Sequence, residues 1–165
     1  MFKKILLLLA VCVLIPAVVF AQESEPEEKG DFWISLGGDA ALYSVSGAAY
    51  GGSFALGYGK GASIGLKMSW FFWEEGIDTL ELNFILRFYF QGGNAYSGPF
   101  LQFMGGPSFF NQRGDFSISS DLGMISAGLC FGWRFLFLDR WFVEPYIRGG
   151  YPYIAGAGIA AGVRF

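Results

Sequence analysis

The sequence predicts an all-β fold: an eight-stranded antiparallel transmembrane β-barrel with up-and-down topology. Three observations predict it. The 165-residue chain is 53% hydrophobic and 19% aromatic, with a mean hydropathy of +0.43. Yet beyond residue 21 no apolar run approaches the roughly 20 residues that a membrane helix needs. From Asp31 onward apolar and polar residues alternate with period two, the signature of strands with one apolar face. Turn signals cut this alternation into eight segments of about 10–12 residues, the length of a tilted membrane strand.

Residues 1–21 read as a cleavable signal peptide and stand outside the fold. Lys3 and Lys4 form a basic start, Ile5 to Phe20 an apolar core with Pro16 near its end, and Val19-Phe20-Ala21 a small-x-small cleavage site. A lipoprotein signal ending at Cys12 is the alternative. It is disfavoured by the bulky Val11 before the cysteine and by the apolar tail, Val13 to Ala21, that it would leave. Cleavage after Ala21 leaves Cys130 as the single cysteine, so an internal disulfide is excluded. Residues 22–30 (QESEPEEKG) read as a disordered acidic tail, and residues 31–165 as the barrel domain.

Each strand is legible from its parity. In Phe32–Tyr43, Phe32, Ile34, Leu36, Ala40 and Leu42 share one face, and Ser35, Gly37, Asp39 and Ala41 the other. Ala48–Tyr58 puts Phe54, Leu56 and Tyr58 together, and Gly59-Lys60-Gly61 makes a tight turn. Ala62–Phe72 sets Ile64, Leu66, Met68, Trp70 and Phe72 against Ser63, Gly65, Lys67 and Ser69. After a charged loop at 74–78, Thr79–Phe90 sets Leu80, Leu82, Phe84, Leu86, Phe88 and Phe90 against Glu81, Asn83, Ile85, Arg87 and Tyr89. Gly98–Phe109, interrupted by Pro99 and Pro107, sets Leu101 and Phe103 against Gln102 and Ser108. Asn111–Asp121 reads as the longest loop. Leu122–Phe135 sets Ile125, Ala127, Leu129, Phe131, Trp133 and Phe135 against Ser126, Gly128, Cys130, Gly132 and Arg134. Trp141–Tyr151 sets Val143, Pro145 and Ile147 against Glu144, Tyr146 and Arg148. Ile154–Phe165 sets Ala155, Ala157, Ile159, Ala161, Val163 and Phe165 against Arg164.

A charge on the lipid face of a barrel costs about 2–4 kcal/mol near the bilayer midplane. The charged face must therefore point inward, and eight strands enclose a space that side chains just fill. This places Asp39, Lys67, Glu81, Arg87, Arg134, Glu144, Arg148 and Arg164 inside, paired with one another. Gly65, Gly128, Gly132, Gly158 and Gly162 are expected to make room for the long Arg and Glu side chains. Long and short connections are expected to alternate between the two rims. Two aromatic belts are expected at the interfaces: Trp33, Tyr58, Trp133, Trp141 and Phe165 near the termini, and Tyr43, Trp70, Trp73 and Tyr151 at the opposite end.

Three stretches carry a family resemblance. The end of the chain, GIAAGVRF, has apolar residues at alternate positions (Ile159, Ala161, Val163) before a terminal Phe165. Together with WFVEPYIRGGY (Trp141 to Tyr151) and GPFLQFMGGPSF (Gly98 to Phe109), it resembles the small eight-stranded outer-membrane barrels of the OmpA, OmpX, OmpW and opacity-protein type. The resemblance covers Asp31 to Phe165. It implies a bacterial outer-membrane location, outer-membrane lipid as solvent, and insertion by assembly machinery that reads the last strand, with the chain a monomer. The family's activities range over structural anchoring, adhesion and passage of small apolar compounds.

The residues point to no catalysis. The absence of histidine removes Ser-His-Asp triads and His metal ligands. Glu74-Glu75 reads as a solvated acidic loop, Glu81 with Glu144 as salt-bridge members, and Cys130 as inert packing. The glycines of residues 156–162 lack the spacing and the following helix of a dinucleotide loop. No cofactor or metal is expected. A net charge of -3 gives no reason to expect nucleic acid as a partner. A non-enzymatic structural or surface-anchoring barrel with a filled interior is the leading reading. A narrow conduit or binding protein for small or apolar solutes is the alternative. Adhesion through the loop 111–121, which carries Arg113-Gly114-Asp115, ranks third because the other loops are short.

Overall fold

The computed structural model describes residues 30–43, 47–73, 77–90, 97–112 and 123–165. The signal peptide, the acidic tail through Lys29, Glu74-Glu75 and the Arg113-Gly114-Asp115 tripeptide lie outside the described residues. Eight strands follow one another: β1 (Asp31–Tyr43), β2 (Gly47–Gly59), β3 (Ala62–Trp73), β4 (Ile77–Tyr89), β5 (Gly98–Gln112), β6 (Gly123–Phe137), β7 (Trp141–Tyr151) and β8 (Tyr153–Arg164). Each pairs antiparallel with the next, and β1 pairs with β8, so the sheet closes into a barrel. Closure leaves no edge strand, which is the condition for placing a sheet in a solvent that offers no hydrogen bonds.

Polarity is inverted relative to a water-soluble barrel. Leu36, Phe84, Ile64, Phe131 and Ile147 stand exposed on the outer wall, while Lys67, Glu81, Arg87, Arg134, Glu144 and Arg148 are buried inside. The cause is the side-chain period of the strand. In β3, for example, Ser63, Lys67 and Ser69 are buried while Ile64, Leu66, Met68 and Trp70 are exposed.

The strands run further than the turn signals suggest. β5 continues through Pro99 and Pro107 to Gln112, and β6 reaches Phe137. Proline has no N–H to give a ladder. The β4–β5 register accordingly skips from Glu81↔Ser108 to Phe84↔Gly105 beside Pro107. The β6–β7 register likewise skips from Gly132↔Tyr146 to Phe135↔Val143 beside Pro145. The register resumes unshifted after each gap, so parity is kept.

An even strand count brings the start of β1 and the end of β8 to one rim, where Trp33 pairs with Arg164 and the Phe165 N–H donates to the Phe32 carbonyl (2.8 Å). This terminal rim carries the connections 60–61, 90–97 and 138–140; the far rim carries 44–46, 74–76, 113–122 and Pro152. The expected alternation of long and short connections is not found. The strands take Ile77, Asp78, Asn111 and Gln112 from the segments assigned to far-rim loops, and 113–122 is the one long connection between strands there. On the terminal rim, Leu138 and Asp139 form the β6–β7 turn with φ of 49° and 60°. The left-handed conformation costs a non-glycine residue roughly 1–2 kcal/mol.

The interior charge network

Seven charged side chains fill the barrel. Near the terminal rim the network centres on Glu144 of β7. Its Oε1 accepts from Arg87 Nη1 at 2.6 Å and from Arg134 Nε. Arg87 spends Nε and Nη2 on Gln102 Oε1, at 3.0 and 2.7 Å, and Nη1 also reaches Tyr89 OH. Arg87 lies over the Phe100 ring at 4.2 Å and Arg134 over the Phe142 ring at 3.8 Å, with Trp33 against both guanidiniums. Aromatic faces and one carboxylate therefore compensate two cations whose relative exposures are 5% and 0%.

A middle layer holds Lys67 and Asp39. Lys67 Nζ donates to Asp39 Oδ1 (3.2 Å) and to Tyr146 OH (2.9 Å), and Tyr146 OH donates to the same carboxylate oxygen (2.7 Å). Towards the far rim, Arg148 Nη1 donates to Glu81 Oε2 (3.2 Å) and Tyr43 OH to Glu81 Oε1 (2.9 Å). Arg148 lies against Tyr153 and Phe71, and its Nε comes within 4.0 Å of Asp39. Arg148 thus links the upper pair to the middle one. Between the Glu144 and Lys67 layers remains a cavity of about 20 Å³, lined by Ser35, Ser53, Lys67, Arg87, Cys130 and Glu144 among others. That volume suits about one water molecule.

Seven of the eight charged residues that parity points inward thus meet in two ion-pair clusters, Arg87–Glu144–Arg134 and Lys67–Asp39–Arg148–Glu81. Arg164 stands apart. It lies at the terminal rim, where Nη1 contacts Asp31 Oδ2 (2.8 Å) and Nε donates to the Asp139 carbonyl (2.7 Å). The buried set is therefore Lys67, Arg87, Arg134 and Arg148 against Asp39, Glu81 and Glu144. Cys130 is a buried free thiol on the cavity wall. Among the described residues no group of three or more His, Cys, Asp or Glu side chains is placed to hold a metal ion.

Two aromatic placements need correction. Tyr58, Trp70, Trp133 and Trp141 project from the outer wall, as do Tyr151 and Phe165, whereas Trp33 and Tyr43 are buried inside. Their parity is that of Ser35 and Asp39, and parity outranks the preference of aromatic residues for interfaces. The Trp73 side chain lies outside the described residues.

The five inward glycines are put to a use other than the one expected, since none has an Arg or Glu side chain as its near neighbour. A Cβ at Gly132 would come within 2.5 Å of the Phe100 ring, at Gly158 within 2.5 Å of Tyr146, at Gly162 within 2.3 Å of Phe142, and at Gly128 within 2.3 Å of the Tyr153 hydroxyl. Gly65 approaches backbone alone, at Leu56 and Gly57. Four of the five inward glycines thus admit aromatic rings, and the rings in turn pack the guanidiniums. Phe71, Phe100, Phe142 and Tyr153 are the interior residues missed from the sequence. For three of them the signal was present: Phe71 shares parity with Lys67, Phe142 with Glu144, and Phe100 with the inward Gln102. Tyr153 breaks the parity of β8, because the β1–β8 register shifts between Leu42 and Tyr43.

An inside-out, eight-stranded barrel with a filled interior is the architecture of the small outer-membrane β-barrels. Among solved structures the chain is similar to the outer-membrane protein OprG of Pseudomonas aeruginosa (TM-score 0.63, 11% identity, covering 84% of this chain and 97% of that one). It is similar also to Neisserial surface protein A, NspA (TM-score 0.59, 15% identity, 85% and 98%). A third is the N-terminal β-barrel domain of Pseudomonas aeruginosa OprF (TM-score 0.52, 19% identity, 83% and 100%). No protein-family model matches the chain, and no curated protein matches its sequence. At such identities the likeness is one of fold.

Proposed function

We propose that this chain is an outer-membrane protein whose barrel serves as a closed structural or surface-anchoring element without catalytic turnover. The observation that carries this reading is the interior: two ion-pair clusters packed with rings, with a cavity of about 20 Å³ between them. A hydrated ion needs an aqueous path, and among the described residues charges paired across the lumen at 2.6–3.2 Å argue against one. The similar structures named above, all outer-membrane barrels, support the location. Export through residues 1–21 and delivery of the last strand to the assembly machinery belong to the same reading.

Reconstitution of the purified mature protein in a planar bilayer tests it. The barrel should insert, migrate differently on a gel before and after boiling, and pass no steady current. Reproducible single channels from the heat-modifiable protein would overturn the structural reading in favour of a conduit. Identical migration of boiled and unboiled samples would remove the membrane barrel altogether.

A further inference from the structure

The β6–β7 turn is the one described tight turn whose tip is a large apolar residue in a left-handed backbone. Leu138 has φ 49° and is 87% exposed, at a position where Asn, Asp or Gly ordinarily stands. The turn is not loose. Arg140 N–H donates to the Phe137 carbonyl (3.3 Å), Arg164 N–H to the Arg140 carbonyl (2.9 Å), and Arg164 Nε to the Asp139 carbonyl (2.7 Å). The last strand thus holds Leu138 at the tip. Either side of it, Phe137 and Trp141 are exposed on the outer wall, and they continue downward the row Phe131, Trp133, Phe135 that faces lipid. Arg140 is exposed next to them. The other described tight turn of this rim, Lys60-Gly61, has no such apolar tip.

From this, and resting on the membrane-barrel reading, we propose that residues 137–141 anchor the terminal rim in the bilayer interface. Leu138 and the rings of Phe137 and Trp141 enter the headgroup–acyl boundary, and Arg140 sits at the level of the phosphates. Water gives an exposed leucine no compensation for a strained backbone, whereas the interface rewards an apolar tip and hosts amphipathic rings and Arg side chains. The occupant follows from continuity: the apolar wall that meets lipid along β6 and β7 does not stop at the end of the strands but runs through the turn.

The test uses Cys130→Ala protein in phosphatidylcholine vesicles, with a polarity-sensitive fluorophore attached to a single new cysteine. Leu138→Cys, Lys60→Cys and Phe84→Cys are compared, Phe84 being an exposed mid-wall residue of β4. The label at 138 should emit to the blue of the label at 60. It should lose most of its quenching by aqueous iodide and be quenched by lipids spin-labelled near the headgroup. Equal iodide quenching at 138 and 60, with Phe84 quenched from within the acyl layer, would overturn the anchor and leave the membrane barrel standing. Absence of lipid quenching at Phe84 would bring down both. The unlabelled variant Leu138→Asn supplies a second readout. Asn relieves the strained backbone, so a more stable barrel in vesicles would overturn the anchor, while weaker vesicle insertion at equal or higher detergent stability supports it.

Discussion

Trp33 lies across the β1–β2 ladder from Gly57, and its ring fills the space that any side chain at Gly57 would take. A Cβ there would stand 2.5 Å from Trp33 Cζ2. The indole in turn packs edge-on against Phe142 and faces Arg87 and Arg134. One glycine therefore sets the geometry of the terminal half of the plug. Gly57→Val should destabilise the barrel by about 1–3 kcal/mol through overpacking, read as a lower midpoint in a urea titration followed by gel mobility. Trp33→Leu in the same chain should restore part of the loss, but not all, because the added carbon also meets the Ile64 carbonyl at 2.9 Å. Full additivity of the two changes would show that ring and glycine are not coupled.

Glu144 offers a sharper test of the ion-pair clusters. Among the described residues it is the one carboxylate paired with both Arg87 and Arg134. Glu144→Ala should therefore leave two buried guanidiniums without a counter-charge. Breaking a buried pair by removing one partner costs about 3–5 kcal/mol. Arg87→Ala should cost less, since Arg134 still compensates Glu144. At the rim, Asp31→Ala removes the part-exposed partner of Arg164, with side-chain exposures of 29% and 20%. A loss below about 1 kcal/mol is expected there, and it should shrink further in high salt. Unfolding midpoints of the three variants should fall in the order Asp31→Ala, Arg87→Ala, Glu144→Ala, from smallest loss to largest. A loss at Asp31 equal to that at Glu144 would mean that burial does not govern these pairs.

Those layers were readable because parity is a hard constraint and residue type a soft one. Alternation alone brought Asp39, Lys67, Glu81, Arg87, Arg134, Glu144 and Arg148 to one side. The partners were not readable, because pairing depends on the height of each strand around the barrel, which period two leaves open. Trp33 and Tyr43 went astray where residue preference was followed against parity. The loop lengths went astray for a different reason. Polar residues such as Asp78, Asn111 and Gln112 resemble loop residues, but the β4–β5 ladder pairs Asp78 with Asn111 and Ile77 with Gln112, so the strands run on.

The plug has layers, and this bears on conductance. Lys67→Ala with Tyr146→Ala would empty the middle layer and enlarge the 20 Å³ cavity, but the Arg87–Glu144–Arg134 layer would still close the terminal end. Such a double variant should stay silent in planar bilayers. Measurable single-channel current should appear only when Glu144→Ala and Arg87→Ala are added together with Glu81→Ala and Arg148→Ala of the far-rim layer, provided gel mobility shows the barrel still folded. Current from the middle-layer variant alone would show that the terminal layer is not a seal.

The last prediction concerns Phe165, the residue that ends the closing strand. It is 69% exposed, its ring lies 6.2 Å from Phe32, and its N–H donates to the Phe32 carbonyl (2.8 Å). The start of β1 and the end of the last strand therefore meet at the outer wall of the β1–β8 seam. Phe165→Asp leaves the backbone bond available but puts a charge on the lipid side of the rim, where the cost is small, about 0–1 kcal/mol for interfacial positions. Stability of refolded protein in detergent should therefore change little. Assembly in cells should fall sharply if the terminal aromatic is what the assembly machinery reads. Comparing refolding in vitro with outer-membrane yield in vivo separates the two roles. A large loss in both would make Phe165 a packing residue of the seam, and normal yield in cells would remove it from the assembly signal.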